Sequence, residues 1–315
     1  MSRRKKQSRR RNSLQKARFT AYLLAAAVIA ALVLTVLVRT GVIDGSLLFK
    51  QPAAPDASDS VRFIDVGQGD CTLCVSDGQA MLIDSGESDG RDSVIAYIRS
   101  LDIPALDCVV ITHPHSDHMG EMADIIKSFD VGRVIMPDIP DRLAGSTASC
   151  DKLIKAADRR GVGIDRISRD ESFEVGNFGV KIYAPAELSE DINDDSLVVR
   201  ITHGENSFLV TGDCGEQEEK GLIARGAELR ADVLKVGHHG STSASSEIFL
   251  AAVRPSYAVI SCGADNDYGH PSEKTLVKLS ALAGKTYITR DCGTVTFVSD
   301  GKGLTVIPEK EQSER

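Results

Sequence analysis

This chain of 315 residues has no disulfide framework, no second C-x-x-C motif and no internal repeat. Its seven cysteines (Cys71, Cys74, Cys108, Cys150, Cys214, Cys262 and Cys292) are scattered and odd in number, which argues against a disulfide-stapled scaffold. The one C-x-x-C, Cys71 to Cys74, lacks the partner that a zinc ribbon needs. It alternates with Thr72, Leu73 and Val75 as a strand does, so the cysteines are expected to be buried or spare thiols. With 10 Pro and 27 Gly the chain is neither collagenous nor broadly disordered, and 42% hydrophobic residues suffice for a large core.

Acidic residues are absent from residues 1 to 18, a segment that holds nine bases (Arg3, Arg4, Lys5, Lys6, Arg9, Arg10, Arg11, Lys16 and Arg18). Nine of the 37 bases thus sit at one end, so the remainder carries 28 bases against all 45 acids, a net −17, although the whole chain sums to −8. Such an acidic body is not a general nucleic-acid binder held by phosphate neutralisation, which requires clustered Lys and Arg. Phosphate chemistry here would need a metal to supply positive charge.

Charge of either sign is missing from Phe19 to Val38, twenty residues between Arg18 and Arg39. At about 1.5 Å per residue this run spans a hydrocarbon core of about 30 Å. A secretory signal peptide has a shorter apolar region, roughly 7 to 15 residues, followed by a small-x-small cleavage site. Here the run meets Arg39-Thr-Gly directly, and no cysteine follows closely enough for a lipoprotein anchor. An uncleaved, single-pass anchor is therefore expected. By the positive-inside rule its basic tail is cytoplasmic and the body extracytoplasmic. The expected organisation is a tail over 1–18, an anchor over 19–39, a linker over 40–60 with the Pro-, Ser- and Asp-rich stretch 50–60, a soluble domain over 61–308 and a polar tail over 309–315.

Within the body, strand patterns cover 61–66, 70–75, 80–83, 108–112, 133–136, 180–184, 197–202, 208–211, 233–236, 257–262 and 294–298. Helical periodicity covers 93–101, 119–129, 150–160, 216–224, 247–253 and 273–282. Hairpin-like strands come first and helices then interleave with strands, so an α/β fold with both sheet faces covered is expected.

Three of the seven histidines fall in His113-Pro-His115-Ser-Asp117-His118, between the buried-type strand 108–112 and a helix. Four metal-capable side chains in six residues at a strand end can converge on one spot. Imidazole plus carboxylate suits zinc, manganese or iron. A hairpin of 197–202 with 208–211 places Ser196 beside Gly212 and Asp213, a carboxylate suited to bridging two metals. The same geometry puts His203 some 17 to 20 Å away at roughly 3.3 Å per residue, as an exposed turn residue. The strand from Asp232 runs out into His238-His239-Gly240-Ser241, a histidine pair with a ligand reading. The strand 257–262 ends in a Gly-rich loop carrying His270-Pro271, where His270 is an active-site or a loop residue. Asp265-x-Asp267 lacks the twelve-residue ligand series of an EF-hand.

Leu82-Ile-Asp84-Ser-Gly86, the H-x-H-x-D-H run at 113 to 118, Thr211-Gly-Asp213 and the terminal His motif resemble the metallo-β-lactamase superfamily. Phe63-Ile-Asp-Val-Gly-Gln-Gly-Asp70, Asn193-Asp-Asp-Ser196-Leu-Val-Val, Leu234-Lys-Val-Gly-His-His-Gly-Ser241 and Gly269-His-Pro271 look most like the hydrolase domain of ComEC-type competence proteins, a branch associated with DNA uptake and a presumed nuclease. The His-His-Gly-Ser signature also occurs in phosphodiesterases of cell-wall polymers, such as choline-phosphate esterases.

The resemblance implies an αββα sandwich and two divalent ions, zinc or manganese. His113 and His115 would hold one ion, and Asp117 and His118 with His238 the other. Asp213 would bridge them, and Asp84 would brace the histidine loop. A hydroxide bridging the metals would be the nucleophile. His239 and His270 are the candidates for proton transfer or for holding substrate oxygens, Asp117 is counted with them as catalytic, and Asn193, Ser196 and Ser241 are the candidates for substrate binding. Sequence leaves open which of His238 and His239 is the ligand. Where many members of the superfamily place a histidine before the bridging-Asp hairpin, this chain has Asn193 to Ser196, leaving the first site a ligand short.

The expected function is a membrane-anchored, extracytoplasmic, metal-dependent hydrolase of phosphodiesters, in nucleic acid or cell-wall polymer. A non-catalytic exported binding module is the alternative. With one expected span and no many-helix channel, DNA import by this chain alone is not implied. The expected partners are a membrane and a phosphodiester substrate, and no protein partner is inferable.

Overall fold

The computed structural model describes residues 59–87, 94–140, 147–264 and 266–312. The expected basic tail, the anchor and all but the last two residues of the linker lie outside them. Among the described residues no helix is long and apolar enough to cross a membrane.

The first sheet contains β1 (Ser60–Phe63), β2 (Thr72–Ser76), β3 (Gln79–Ile83), β4 (Ala105–Val110), β5 (Asp130–Pro137) and β6 (Ile164–Ile167). The second contains β7 (Glu171–Val175), β8 (Phe178–Tyr183), β9 (Val198–His203), β10 (Asn206–Val210), β11 (Val233–Lys235), β12 (Tyr257–Ile260) and β13 (Lys285–Ile288). The last two strands, β14 (Val295–Ser299) and β15 (Leu304–Pro308), return to the first sheet, whose order is β15-β14-β1-β2-β3-β4-β5-β6. The second sheet runs β13-β12-β11-β10-β9-β8-β7.

Strand alternation divides the apolar residues into three cores. Between the sheets lie Phe63, Met81, Ile83, Phe208, Val210 and Val233, with Phe297 edge-on to Phe63 at 5.8 Å and to Tyr257 at 5.5 Å. On the outer face of the first sheet, Leu73, Leu82 and Val109 pack with Ile98 of α1 (Val94–Ser100), Ile125 of α3 (Met122–Ser128) and Leu153 of α4 (Thr147–Arg160). On the outer face of the second, Leu209, Leu234 and Ala258 pack with α5 (Glu216–Ala224), α6 (Glu247–Val253) and α7 (Glu273–Leu282) through Leu222, Leu250 and Leu279. Helices therefore cover both outer faces of two stacked sheets, the αββα arrangement. All seven cysteines are free and buried. Cys71 and Cys74 belong to different cores, on opposite faces of the first sheet, and so cannot share a ligand.

The strands β3 to β6 and β10 to β13 are parallel within each sheet. In open parallel sheets the crevice beyond the carboxyl ends is where ligands bind. Here β3, β4, β10, β11 and β12 run out into Asp84, the 113–118 loop, Asp213, the His238-His239 pair and the loop to His270.

Two details differ from the sequence reading and a third adds to it. The helix expected over 119–129 is two, α2 (Ser116–Met119) and α3, because the Gly120 N–H is diverted to the Gly86 carbonyl at 2.9 Å. His203 is the half-buried last residue of β9 rather than an exposed turn residue: Nδ1 meets Ser299 Oγ at 2.8 Å and Nε2 meets Asp59 at 3.3 Å. Past Pro308, Glu309 and Lys310 donate backbone N–H groups to Thr294 and Cys292, and Gln312 accepts from Ile288. The chain therefore stays docked beyond β15.

Candidate metal centre

β4 gives out at Val110, and its continuation is held by the second sheet, with Leu197 N–H donating to the Thr112 carbonyl at 2.9 Å. His118 and Met119 then donate to the His115 carbonyl, winding the short α2 that turns His118 inward. Asp84, fully buried and in the left-handed region (φ 59°), is the brace of this loop. Its carboxylate accepts from Thr112 N at 2.8 Å and Thr112 Oγ1 at 2.7 Å, and lies 2.8 Å from His118 Nδ1. Burial disfavours charge on His118, but Asp213 and Asp84 outweigh it and hold the ring well above the usual imidazole range; with Nδ1–H given to Asp84, it is Nε2 that would give up its proton to a metal.

Beyond β10, Gly212 and Asp213 turn over Ser196, whose Oγ accepts from Asp213 N at 3.2 Å and reaches His113 Nδ1 at 3.3 Å. Beyond β11, His238 and His239 both take left-handed backbone angles (φ 49° and 52°). Non-glycine residues held there store strain that the surrounding structure must sustain. Gly240, also at positive φ, closes the turn where any Cβ would strike Pro271. The turn sends the two rings different ways. His239 is buried, with Nδ1 3.0 Å from the Ser261 carbonyl and Nε2 3.1 Å from Asp117 Oδ2. His238 stays partly exposed, its Nδ1 3.1 Å from Ser243 Oγ and its Nε2 3.7 Å from Asp213.

The outcome is one tight cluster: ligand atoms of Asp117, His118, Asp213 and His239 all lie within 4.8 Å of one another. His239, expected in proton transfer, stands where His238 was expected. Asp213 Oδ1 and His118 Nε2 are 3.2 Å apart, and both are buried without a well-aligned hydrogen bond. Orphaned buried polar atoms are costly, and a divalent cation would satisfy both. This donor set of imidazoles and carboxylates fits zinc or manganese. His113 and His115 sit alongside as a pair, Nε2 to Nδ1 at 3.0 Å, with the His113 ring 4.1 Å from that of His118.

The electrostatics match such a centre. Burial holds the His113 ring well below the usual imidazole range, leaving it neutral. Burial disfavours charge on His239 as well, but Asp213, Asp70 and Asp117 outweigh it and push the ring up to about 10. Burial raises Asp213 and Asp117, yet the neighbouring imidazoles prevail and hold both carboxyls below the usual range. Protons on the rings thus fill the role that a cation would take.

The cluster opens on a cleft of about 450 Å³ whose walls include Asn193, His115, His238 and His270. Asn193 lines it, although its Oδ1 is itself buried and unpaired. The ring of His270 packs against those of His238 (5.7 Å) and Tyr268 (5.7 Å, stacked). Two expected substrate contacts lie elsewhere: Ser196 is buried beneath His113 and Asp213, and Ser241 turns away to Ser243 at 3.0 Å. Two central residues carried no role in the sequence reading, Asp70 and Lys235, both buried under the cluster. A lysine inside the apolar run Val233-Leu234-Lys235-Val236 was the available signal.

The Metallo-beta-lactamase superfamily model matches residues 64–264. The chain is 30% identical over 270 residues to ComE operon protein 3 of Bacillus subtilis (strain 168), covering 80% of this chain and 34% of that protein. It is 29% identical over 256 residues to Competence protein ComA of Neisseria gonorrhoeae, covering 80% and 34%. It therefore spans about a third of these relatives. Among solved structures, the metallo-beta-lactamase fold protein YhfI from Bacillus subtilis superposes with a TM-score of 0.51 at 14% identity, over 76% of this chain and 99% of that one, a likeness of fold. With its two stacked sheets, its ordered motifs and this match, the chain belongs to the metallo-beta-lactamase superfamily.

Proposed function

We propose that the chain is a metal-dependent hydrolase of phosphodiester bonds, of the ComEC-like branch, carried on the outer side of a membrane by residues 19–39. The observation that carries the hydrolase reading is the buried convergence of Asp117, His118, Asp213 and His239 at the floor of an open, polar cleft. In this reading Asp117, His118, Asp213 and His239 would hold one divalent ion, and His113 and His115 would hold a second. The ions supply Lewis acidity and lower the pKa of water. The chain's own residues do the rest. Asp84 and the Ser261 carbonyl fix the tautomers of His118 and His239, and the hydroxyls of Thr112 and Ser196 hold the His113 ring in place. His238 and His270, on the cleft wall, bind substrate oxygens or carry a proton to the leaving group. Asn193 offers an amide to the same space.

A phosphodiester is favoured over a long nucleic acid because none of the described residues lining the cleft is Lys or Arg, and the body after Arg18 is net −17. Affinity for a polyanion would then rest on the metals. The names of the relatives, competence proteins, keep single-stranded DNA on the panel of substrates. The missing third histidine beside His113 and His115 supports the second reading, a binding module that keeps the fold and one ion.

The full chain, loaded with manganese or zinc, should hydrolyse bis-p-nitrophenyl phosphate, and Asp213→Ala should abolish turnover. Nitrocefin should not be cleaved. Absence of any turnover across phosphodiesters and single-stranded DNA, with two ions bound, would sink the hydrolase reading. For the anchor, the protein should stay with membranes at alkaline pH and be digested by protease added to spheroplasts. Release at alkaline pH would refute it.

A further inference from the structure

Beneath the metal cluster lies a charge pair that no part of the proposed chemistry uses. Lys235 ends β11, and strand alternation sends its fully buried side chain, like that of Val233, into the space between the sheets. There its ammonium contacts the Asp70 carboxylate, which enters from the first sheet just ahead of β2. Two charges out of reach of water are a poor stabilising device, because their desolvation cancels much of their attraction and an apolar pair of similar volume is often as stable.

Asp70 is placed with care. Its N–H donates to the Asp117 carbonyl at 3.0 Å and its carbonyl accepts from Gly86 N at 2.8 Å. The preceding Gly69 is at φ +128°, where any Cβ would collide with the Asp117 carbonyl oxygen. The carboxylate then stands behind two rings of the cluster, Oδ1 3.4 Å from His239 Nδ1 and Oδ2 3.9 Å from His118 Nδ1. These are the nitrogens opposite the Nε2 atoms that enter the cluster. Asp70, Asp84 and His118 would themselves make a three-residue cation site, and the Lys235 ammonium sits against it.

We propose that Lys235 and Asp70 are a positioning pair for the metal ligands His118 and His239. Lys235 serves as a built-in cation: it pins Asp70 behind both rings, keeps their Nε2 atoms aimed at Asp117 and Asp213, and keeps the inner carboxylates from competing for the metal. This rests on the reading of the cluster as a metal centre.

The test compares the full chain with Lys235→Met, Asp70→Asn and the double variant Asp70→Asn/Lys235→Met. Its readouts are manganese or zinc affinity by competition with a chromophoric chelator, the visible spectrum of the cobalt-loaded protein, and the melting midpoint without metal. Residues behind metal-bound histidines typically set affinity by 10- to 100-fold. Lys235→Met should lower the midpoint by leaving a lone buried carboxylate. The double variant should regain most of that stability yet bind metal roughly 10- to 100-fold more weakly, with a shifted cobalt spectrum. A folded double variant with unchanged affinity and spectrum would overturn the proposal and leave the pair a structural cross-sheet clamp. Should the double variant not fold, metal affinity and the cobalt spectrum of folded Asp70→Asn decide the matter, its lone buried Lys235 ammonium being expected to lower the melting midpoint as well. Failure of the unsubstituted chain to bind any metal would instead overturn the metal-centre reading itself.

Discussion

Replacing Asp84 with asparagine separates the stability of the fold from the chemistry of the centre. The Asp84 carboxylate makes three contacts, with Thr112 N (2.8 Å), Thr112 Oγ1 (2.7 Å) and His118 Nδ1 (2.8 Å), all buried. Asparagine keeps the shape and the Thr112 N–H bond, and its amide can donate to Thr112 Oγ1 in place of accepting. Towards His118 Nδ1–H, however, it presents a donor to a donor. The ring relieves the clash by moving its proton to Nε2, the atom that faces Asp213. Stability should fall by about 1.5 to 3 kcal/mol, the net value of a hydrogen bond to a charged group. Metal affinity should fall roughly 10- to 100-fold, or about 1.4 to 2.8 kcal/mol. Asp84→Ala, by contrast, strands Thr112 N–H and His118 Nδ1–H in the interior and should cost about 3 to 5 kcal/mol of folding stability. Urea unfolding of the metal-free chain gives the first quantity and chelator competition the second. Unchanged metal affinity in a folded Asp84→Asn variant would show that Asp84 does not set the tautomer of His118.

Phe297→Ala, at the meeting point of Phe63, Phe208, Tyr257 and Tyr287 between the sheets, should cost about 3 to 5 kcal/mol in urea unfolding without changing metal stoichiometry. Glu218, beside Arg225 at 3.1 Å, has its pKa pushed up to about 7, first by burial and also by Asp194 and Asp195. Its folded-state pKa exceeds the ordinary 4.5, so the stability it contributes is full below pH 4.5 and fades as pH rises towards 7. Glu218→Gln should flatten that loss in melting curves between pH 5 and 8, and an unaltered pH slope would refute the assignment. Burial pushes the thiols up, those of Cys262 and Cys292 to about 11, so a thiol reagent at neutral pH should label the native chain far more slowly than the unfolded one.

Most strands and the expected helices, apart from the one over 119–129 that splits in two, were legible because their apolar residues recur at a period of two or near 3.6. The exceptions have physical causes. β6, β7, β13 and β15 stand at or next to sheet edges, where one face meets solvent, so sequences such as Ile164-Asp-Arg-Ile167 and Glu171-Ser-Phe-Glu-Val175 carry a weak pattern. The histidine loop and Asp213 could be placed from strand ends and hairpin register. Which of two adjacent histidines turns inward could not, because that depends on consecutive left-handed residues at His238 and His239, a conformation that no periodicity encodes. Asp70 and Lys235 escaped because their partnership joins opposite sheets across 165 positions of sequence, and only the stacked fold brings them together.

Whether Asp117, His118, Asp213 and His239 hold a metal is read most simply from the metal content of the purified full chain and two of its variants by elemental analysis. His239→Ala should lose bound manganese or zinc, whereas His238→Ala should retain it. Retention in His239→Ala together with loss in His238→Ala would contradict this assignment.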